Sequence, residues 1–329
     1  MHFPITDPVG MLGGIPVELT LRRGYDEGHR VGFEVLAGDL IEIEEVGGMA
    51  STVVFSGISP HPPLLIPDVG GERIMQVAES GKALAEFSRR LISTRPDTVI
   101  LISPHSPFDP TSFAIRTTAE LRGSFSEFGA PQVTLKFQND LTMIKALKDS
   151  ARNHNVEVRE LTREYPLDHG ATVPLYYLRD AGWRRPIVVI GFTDQSNNEH
   201  LAFGRAIAEA AASINRRVAV VASGDLSHRL IIGGPYEYEP TAHVFDQQIV
   251  DAVADGDPKG ILNIDKDLRL RAGECGYRSI VVALGSVDQN LTDHEVLSYE
   301  GPFGVGYLVA VFIDTNRSIG GNQQLSDTI

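Results

Sequence analysis

From about residue 51 onward the chain repeats one pattern: a short, largely β-branched apolar run, then a longer stretch with helical spacing, then another short run. STVVFSGIS (51–59) precedes RIMQVAESGKALAEFSRRLIST (73–94), which precedes DTVILIS (97–103); RPIVVIGF (185–192) is followed by LAFGRAIAEAAASIN (201–215) and RRVAVVAS (216–223). Strands that alternate with helices build a sheet whose strands run side by side, so the pattern predicts an α/β fold: a central mixed, mostly parallel sheet flanked by helices. Toward the end, the helical YRSIVVALGSV (277–287) leads into HEVLSYEG (294–301) and VGYLVAVFI (305–313) with no helix between them, which predicts an antiparallel pair. No long linker or solenoid-length repeat interrupts residues 49–315, which are expected to form one catalytic domain.

The ends of the chain read differently. Residues 1–48 carry short β segments broken by glycine, as in VELTLRRG and HRVGFEVLAGDLIEIEEVGG. Two expectations compete there: a β-rich N-terminal extension, or an upstream leader with Met49 as the biological start, which the intact mass of the natively expressed protein separates. Residues 316–329 are polar and expected to form a tail.

Composition removes several function classes. Hydrophobic residues make up 42% and charged residues 22%, which excludes a disordered chain. The net charge of −14 comes without any Lys or Arg run, which argues against nucleic acid as a partner. No apolar run approaches the roughly 18 to 20 residues of a spanning helix, and no basic-then-apolar leader opens the sequence. A cytoplasmic protein without a membrane partner is expected. The single cysteine, Cys275, excludes an intrachain disulfide and a zinc site of several thiolates. Any metal must therefore rest on His, Asp or Glu, with Cys275 as the one available sulfur.

Ligand sites of open α/β sheets lie at the carboxyl ends of the strands, where rigid strands hold converging loops. Two strand ends carry the same tripeptide, Ser-Pro-His, at Ser59–His61 and Ser103–His105. Proline fixes φ and cannot donate to a ladder, so it ends the strand and sets the direction of the next side chain. Two aimed imidazoles, His61 and His105, are expected as paired metal ligands. The third ligand is expected from the Gly-flanked Glu274-Cys275 pair, of which only one can face the metal because adjacent helical positions diverge by about 100°. Two His with Glu274 would make the facial triad of non-haem Fe(II) oxygenases; two His with Cys275 would make a different site. Glu274 also stands at a helix start, where the macrodipole favours a carboxylate.

Two further strings place imidazoles beside carboxylates. SGDLSH gathers Ser223, Asp225, Ser227 and His228 in one loop after a strand, with Asp225 or a backbone carbonyl expected to fix the tautomer of His228, an imidazole able to move protons near neutral pH. LDHG sets Asp168 beside His169, followed by Gly170, whose missing side chain permits close approach. No Gly-x-Ser-x-Gly elbow accompanies them, and Ser and His lie too close in sequence for a hydrolase triad.

SPHPPLLIP, SPHSP, LDHGATVPLYYL, SGDLSH and GECGYRSI, in that order over residues 52–313, resemble the catalytic B-subunit family of class III extradiol ring-cleavage dioxygenases, the superfamily of protocatechuate 4,5-dioxygenase. The resemblance implies Fe(II) held by His61, His105 and Glu274, with His228 as the acid/base histidine and His169 lining the pocket. It implies a catechol-type aromatic and O2 as substrates. GECGYRSI also looks like the Memo family and protein B of the AmmeMemoRadiSam set, in which Cys275 would stand beside the two histidines, without established ring cleavage. Three functions follow: an extradiol dioxygenase using Fe(II); a Memo-like metal-binding or redox protein holding Cu or Fe through Cys275; and, as the least supported, a zinc-dependent hydrolase. Tyr236 and Asp168 are expected to contact the substrate, with Asp225 assisting catalysis. The assembly is expected to be a homo-oligomer or to use a small partner subunit.

Overall fold

Each of the seven residues Val53–Ser59 is buried, and so is each of Thr98–Ser103, Ile187–Gly191 and Val218–Ser223, which is how strands read when helices cover both faces of a sheet. The structure, a computed structural model, describes residues 52–317 and four short strands upstream. The chain divides into two compact units, Met1–Ala50 and Ser51–Ile329. In the first, Gly10–Leu12 pairs with Ile15–Val17 and Arg23–Tyr25 with Val31–Phe33, both antiparallel. The expectation of a start at Met49 and most of the expected tail lie outside the described residues.

In the second unit the strands are β1 (Val53–Ser59), β2 (Thr98–Ser103), β3 (Phe113–Arg116), β4 (Glu120–Phe125), β5 (Ala130–Gln138), β6 (Val158–Leu161), β7 (Ile187–Gly191), β8 (Val218–Ser223), β9 (Glu295–Glu300) and β10 (Tyr307–Asp314). Eight of them form one sheet in the order β6-β3-β7-β2-β8-β1-β10-β9. The central β7-β2-β8-β1 block is parallel, β10 joins β1 antiparallel, and β9 joins β10 antiparallel as the sequence predicts. The mixed, mostly parallel α/β sheet is thus observed. β4 and β5 form a separate hairpin.

The helices used below are α1 (Ala78–Ser93), α2 (Leu141–Asn153), α3 (His169–Asp180), α4 (Asn197–Ser213), α5 (Ala242–Ala254), α6 (Pro258–Leu262), α7 (Lys266–Ala272) and α8 (Tyr277–Ser286). Alternate residues of each central strand feed two cores. Ile100, Ile102, Val188 and Val220 pack against α2, α4 and α8; Val99, Leu101, Val189 and Val221 pack against α1, α3 and the hairpin. Each such fully buried aliphatic side chain stabilises the fold by roughly 1.5–3 kcal/mol over leaving it exposed. Among the described residues no helix is long and apolar enough to cross a membrane. Because β8 lies between β2 and β1, with Ser223 opposite Ser59 and Ala222 opposite Ile102, three strand ends open side by side on one edge.

Candidate metal centre

At that edge the two Ser-Pro-His frames converge. His61 Nε2 and His105 Nε2 are 3.1 Å apart. The first residue of α3 adds a third imidazole, His169, whose ring stacks on that of His105 with centroids 4.1 Å apart. One ring nitrogen from each of the three lies within 4.8 Å of the others. An ion about 2.1 Å from two imidazole nitrogens needs them roughly 3.0 Å apart at a right angle and 3.4 Å at a tetrahedral one, so the observed spacing fits.

The hydrogen bonds around His61 fix its tautomer. The Ser223 hydroxyl donates to the Gly170 carbonyl at 2.5 Å, which spends its only hydrogen. Its oxygen therefore accepts from His61 Nδ1–H at 3.0 Å, and the Nε2 lone pair is left facing His105. Asp225 completes the hold: Oδ1 accepts from the His61 backbone N–H at 2.9 Å, and Oδ2 lies 3.8 Å from His61 Nε2. Asp225 thus orders His61, and of the two partners expected for the His228 ring the backbone, at Gly273, is the one that acts on it.

The Glu274-Cys275 pair divides between two sides of a turn. Gly224 and Gly276 pass so closely that a Cβ on the former would stand 2.0 Å from the Cα of the latter. Across this contact the Cys275 and Gly276 amides donate to the Asp225 carbonyl, and Cys275 Sγ accepts from the Asp225 amide at 3.3 Å. That brings Sγ to 3.6 Å from His61 Nε2. Glu274 turns the other way. Its Oε2 accepts from the Tyr277 amide at 2.6 Å, capping α8, so of the two expected ligand candidates the carboxylate stands at the helix start and the thiol beside His61.

Asp168 is likewise committed elsewhere than to a substrate. It caps α3 through the Ala171 amide, accepts from Ser103 Oγ at 2.5 Å, and pairs with the buried Arg116 at 3.3 Å. Arg116 in turn donates to Ser106 Oγ at 2.7 Å. One carboxylate therefore ties the loop bearing His105 to the helix that begins at His169. The close approach permitted by Gly170 is made by the protein itself, since a Cβ there would meet Ser103 Oγ at 2.4 Å and His105 Cδ2 at 3.2 Å. Sequence reasoning did not single out Arg116, although one arginine ending the apolar run FAIR was a readable signal. It also passed over Phe128, whose ring stands edge-on to His169 at 5.6 Å.

His228 borders the pocket. Its amide donates to the Ala272 carbonyl, its Nδ1 is buried without a partner, and its ring meets Tyr236 edge-on at 5.1 Å. Tyr236 is itself 53% exposed, so one face remains open to a ligand. Burial lowers the pKa of all four imidazoles: His61 well below the usual value, aided by His105, His169 and His228; His105 to about 4; His169 and His228 by burial first. All four are neutral at neutral pH, the form a metal requires. Burial pushes Asp225 up to about 7 and the Cys275 thiol well above its ordinary range. A bound cation would reverse that pressure on the thiol.

Residues 57–310 match the family described as the catalytic LigB subunit of aromatic ring-opening dioxygenase. A curated protein of Clostridium acetobutylicum, Protein CA_C1420, is 33% identical over 256 residues, 75% of this chain and 55% of that protein, so the chain spans about half the length of this relative. Among solved structures, the uncharacterized protein JW3007 from Escherichia coli K12 superposes with a TM-score of 0.47 at 16% identity, over 70% of this chain and 91% of that one.

Proposed function

The chain belongs to the LigB family of catalytic subunits of aromatic ring-opening dioxygenases, and on that premise we propose that it is a non-haem Fe(II)-dependent extradiol dioxygenase that opens a catechol-type ring with O2. The observation that carries the reading is the group of three neutral imidazoles within 4.8 Å of one another at the carboxyl ends of the strands. His61 and His105 hold the metal, with Cys275 or His169 as the further ligand. The metal, when bound, supplies charge and a common template for the two substrates.

The chain's own residues do the rest. His228 is neutral, and its imidazole is the group that takes a proton from a substrate hydroxyl and returns it. Phe128 and Tyr236 offer ring edges and faces to a flat aromatic. Ser223 and Asp225 keep the His61 lone pair turned inward. A cytoplasmic setting, where thiols stay reduced, suits the free Cys275.

The test is anaerobic loading with Fe(II), then O2 uptake and absorbance scans against a panel of catechols. Uptake with a yellow ring-opened product, lost in His105→Ala, is expected. Stoichiometric metal with no uptake on any catechol would sink the proposal. The second reading, a Memo-like metal or redox protein, is favoured by Cys275 Sγ at 3.6 Å from His61 Nε2. It expects copper or iron with a sulfur charge-transfer band that Cys275→Ser removes.

A further inference from the structure

On the other side of the Gly273–Gly276 turn lies a cleft of about 940 Å³, ample for a small organic ligand. Its walls come from the start of α4, from α7 and from the start of α8. Five charged side chains line it: Lys266, Arg269 and Arg278 against Asp194 and Glu274. Two of the charges are already spent, since Arg278 pairs with Asp194 at 2.7 Å. Glu274 is occupied by the Tyr277 amide.

Lys266 and Arg269 remain. Neither forms an ion pair among the described residues, although the Arg269 guanidinium acts on the Glu274 carboxylate at longer range. Arg269 is nonetheless held in place. Its guanidinium lies 4.0 Å over the Tyr277 ring, and the Tyr277 hydroxyl is pinned by the Ile261 carbonyl and Asn197 Nδ2. A guanidinium fixed flat on a rigid ring, with donors unspent, is prearranged for a planar or tetrahedral oxyanion. The first turn of the 17-residue α4, at Asn197 and Asn198, lends the same sign to the wall. Leu270, 64% exposed at the cleft, gives an apolar surface beside the charges.

We propose that this cleft binds a small organic molecule through a carboxylate or phosphate group, gripped by Lys266 and Arg269, with its apolar body against Leu270. The site does not depend on the ring-opening reading.

Isothermal titration of the purified full-length chain with phenyl phosphate, benzoate and neutral benzamide tests it. Saturable binding of at least one anion and none of benzamide is expected, and the tighter anion identifies phosphate or carboxylate as the group recognised. Lys266→Gln, a change at an exposed side chain, should weaken binding roughly tenfold, as loss of a charge-assisted hydrogen bond does. Arg269→Gln should do the same, and Arg269→Lys should restore part of it; unfolding midpoints without ligand confirm that these variants are folded. Binding of neither anion, equal binding of benzamide, affinity unchanged in both Gln variants, or binding that disappears when metal is chelated would each overturn the proposal.

Discussion

The histidine pocket and the Lys266–Arg269 cleft are neighbours across one turn, yet they are built on opposite electrostatic plans. In the pocket the charges felt by the imidazoles come from one another and from Asp168, and burial keeps every imidazole neutral. In the cleft Lys266 and Arg269 have no ion pair among the described residues, Arg269 acting only at longer range on the Glu274 carboxylate. The first arrangement presents lone pairs and lacks positive charge, so a cation completes it. The second sets Lys266, Arg269 and Arg278 against the carboxylates of Asp194 and Glu274, so cations are in excess and an anion completes it. The turn serves both because successive side chains diverge: Cys275 goes to the histidines and Glu274 to the helix start and the cleft.

The largest effect separating the two regions should come from Asp168→Ala. It removes the cap of α3 and leaves Arg116, 2% exposed, with an unpaired charge. Loss of one partner of a buried pair costs roughly 3–5 kcal/mol, read as a lower urea midpoint. The cleft draws nothing from Asp168, so anion affinity of the folded variant should be unchanged. A fall in both would break the distinction.

Asp246 lies under the pocket, where its carboxylate accepts from the Ser227 amide at 2.8 Å and the Tyr299 hydroxyl at 2.7 Å. Burial pushes it up to about 6, against the pull of Tyr299, Ser227 and His243. A raised acid holds its proton in the folded state after the unfolded chain has released it. Its favourable contribution is therefore full below about pH 4 and lost as pH rises through 6. Relative to Asp246→Asn, the wild type should lose about 3 kcal/mol of stability between pH 4 and 7. Urea midpoints across that range check it, and a slope of opposite sign would refute a buried acid here.

Smaller again is Ser223→Ala, which deletes the acceptor of His61 Nδ1–H without touching a ligand. Partners of this kind tune metal affinity by about tenfold, so competition titration should register a loss near that size. The cleft should not notice.

Much of this was legible before any coordinates. The central strands announced themselves as apolar runs, and proline after each strand-ending serine marked where His61 and His105 would be aimed. What was not legible depended on contacts remote in sequence. β3 and β6 span only four residues each, and β4 and β5 leave the main sheet altogether, so their pattern blended into loop. Asp168 beside His169 read as pocket chemistry because its partners, Ser103 and Arg116, lie far upstream. The choice between Glu274 and Cys275 was undecidable from adjacency alone. What separates the two side chains is the Gly224–Gly276 contact, which docks one turn on the other with the thiol toward His61 and the carboxylate toward the Tyr277 amide.

Glu274→Gln is the smallest perturbation and the most direct test of that choice. The amide oxygen can still accept from the Tyr277 amide, so only the charge at the helix start is lost, worth roughly 0.3–1 kcal/mol of stability. If the carboxylate is a cap and a cleft wall, metal affinity should stay within about twofold, because no ligand has changed. Anion binding should respond in the opposite sense to Lys266→Gln: with one negative charge removed from the wall, phenyl phosphate should bind roughly two- to fivefold tighter. Cys275→Ser should show the reverse pattern, weakening metal by more than about tenfold and leaving the anion alone. A loss of metal in Glu274→Gln as large as that in Cys275→Ser would mean that the carboxylate swings inward when an ion arrives. The two regions would then be one site with a shared ligand.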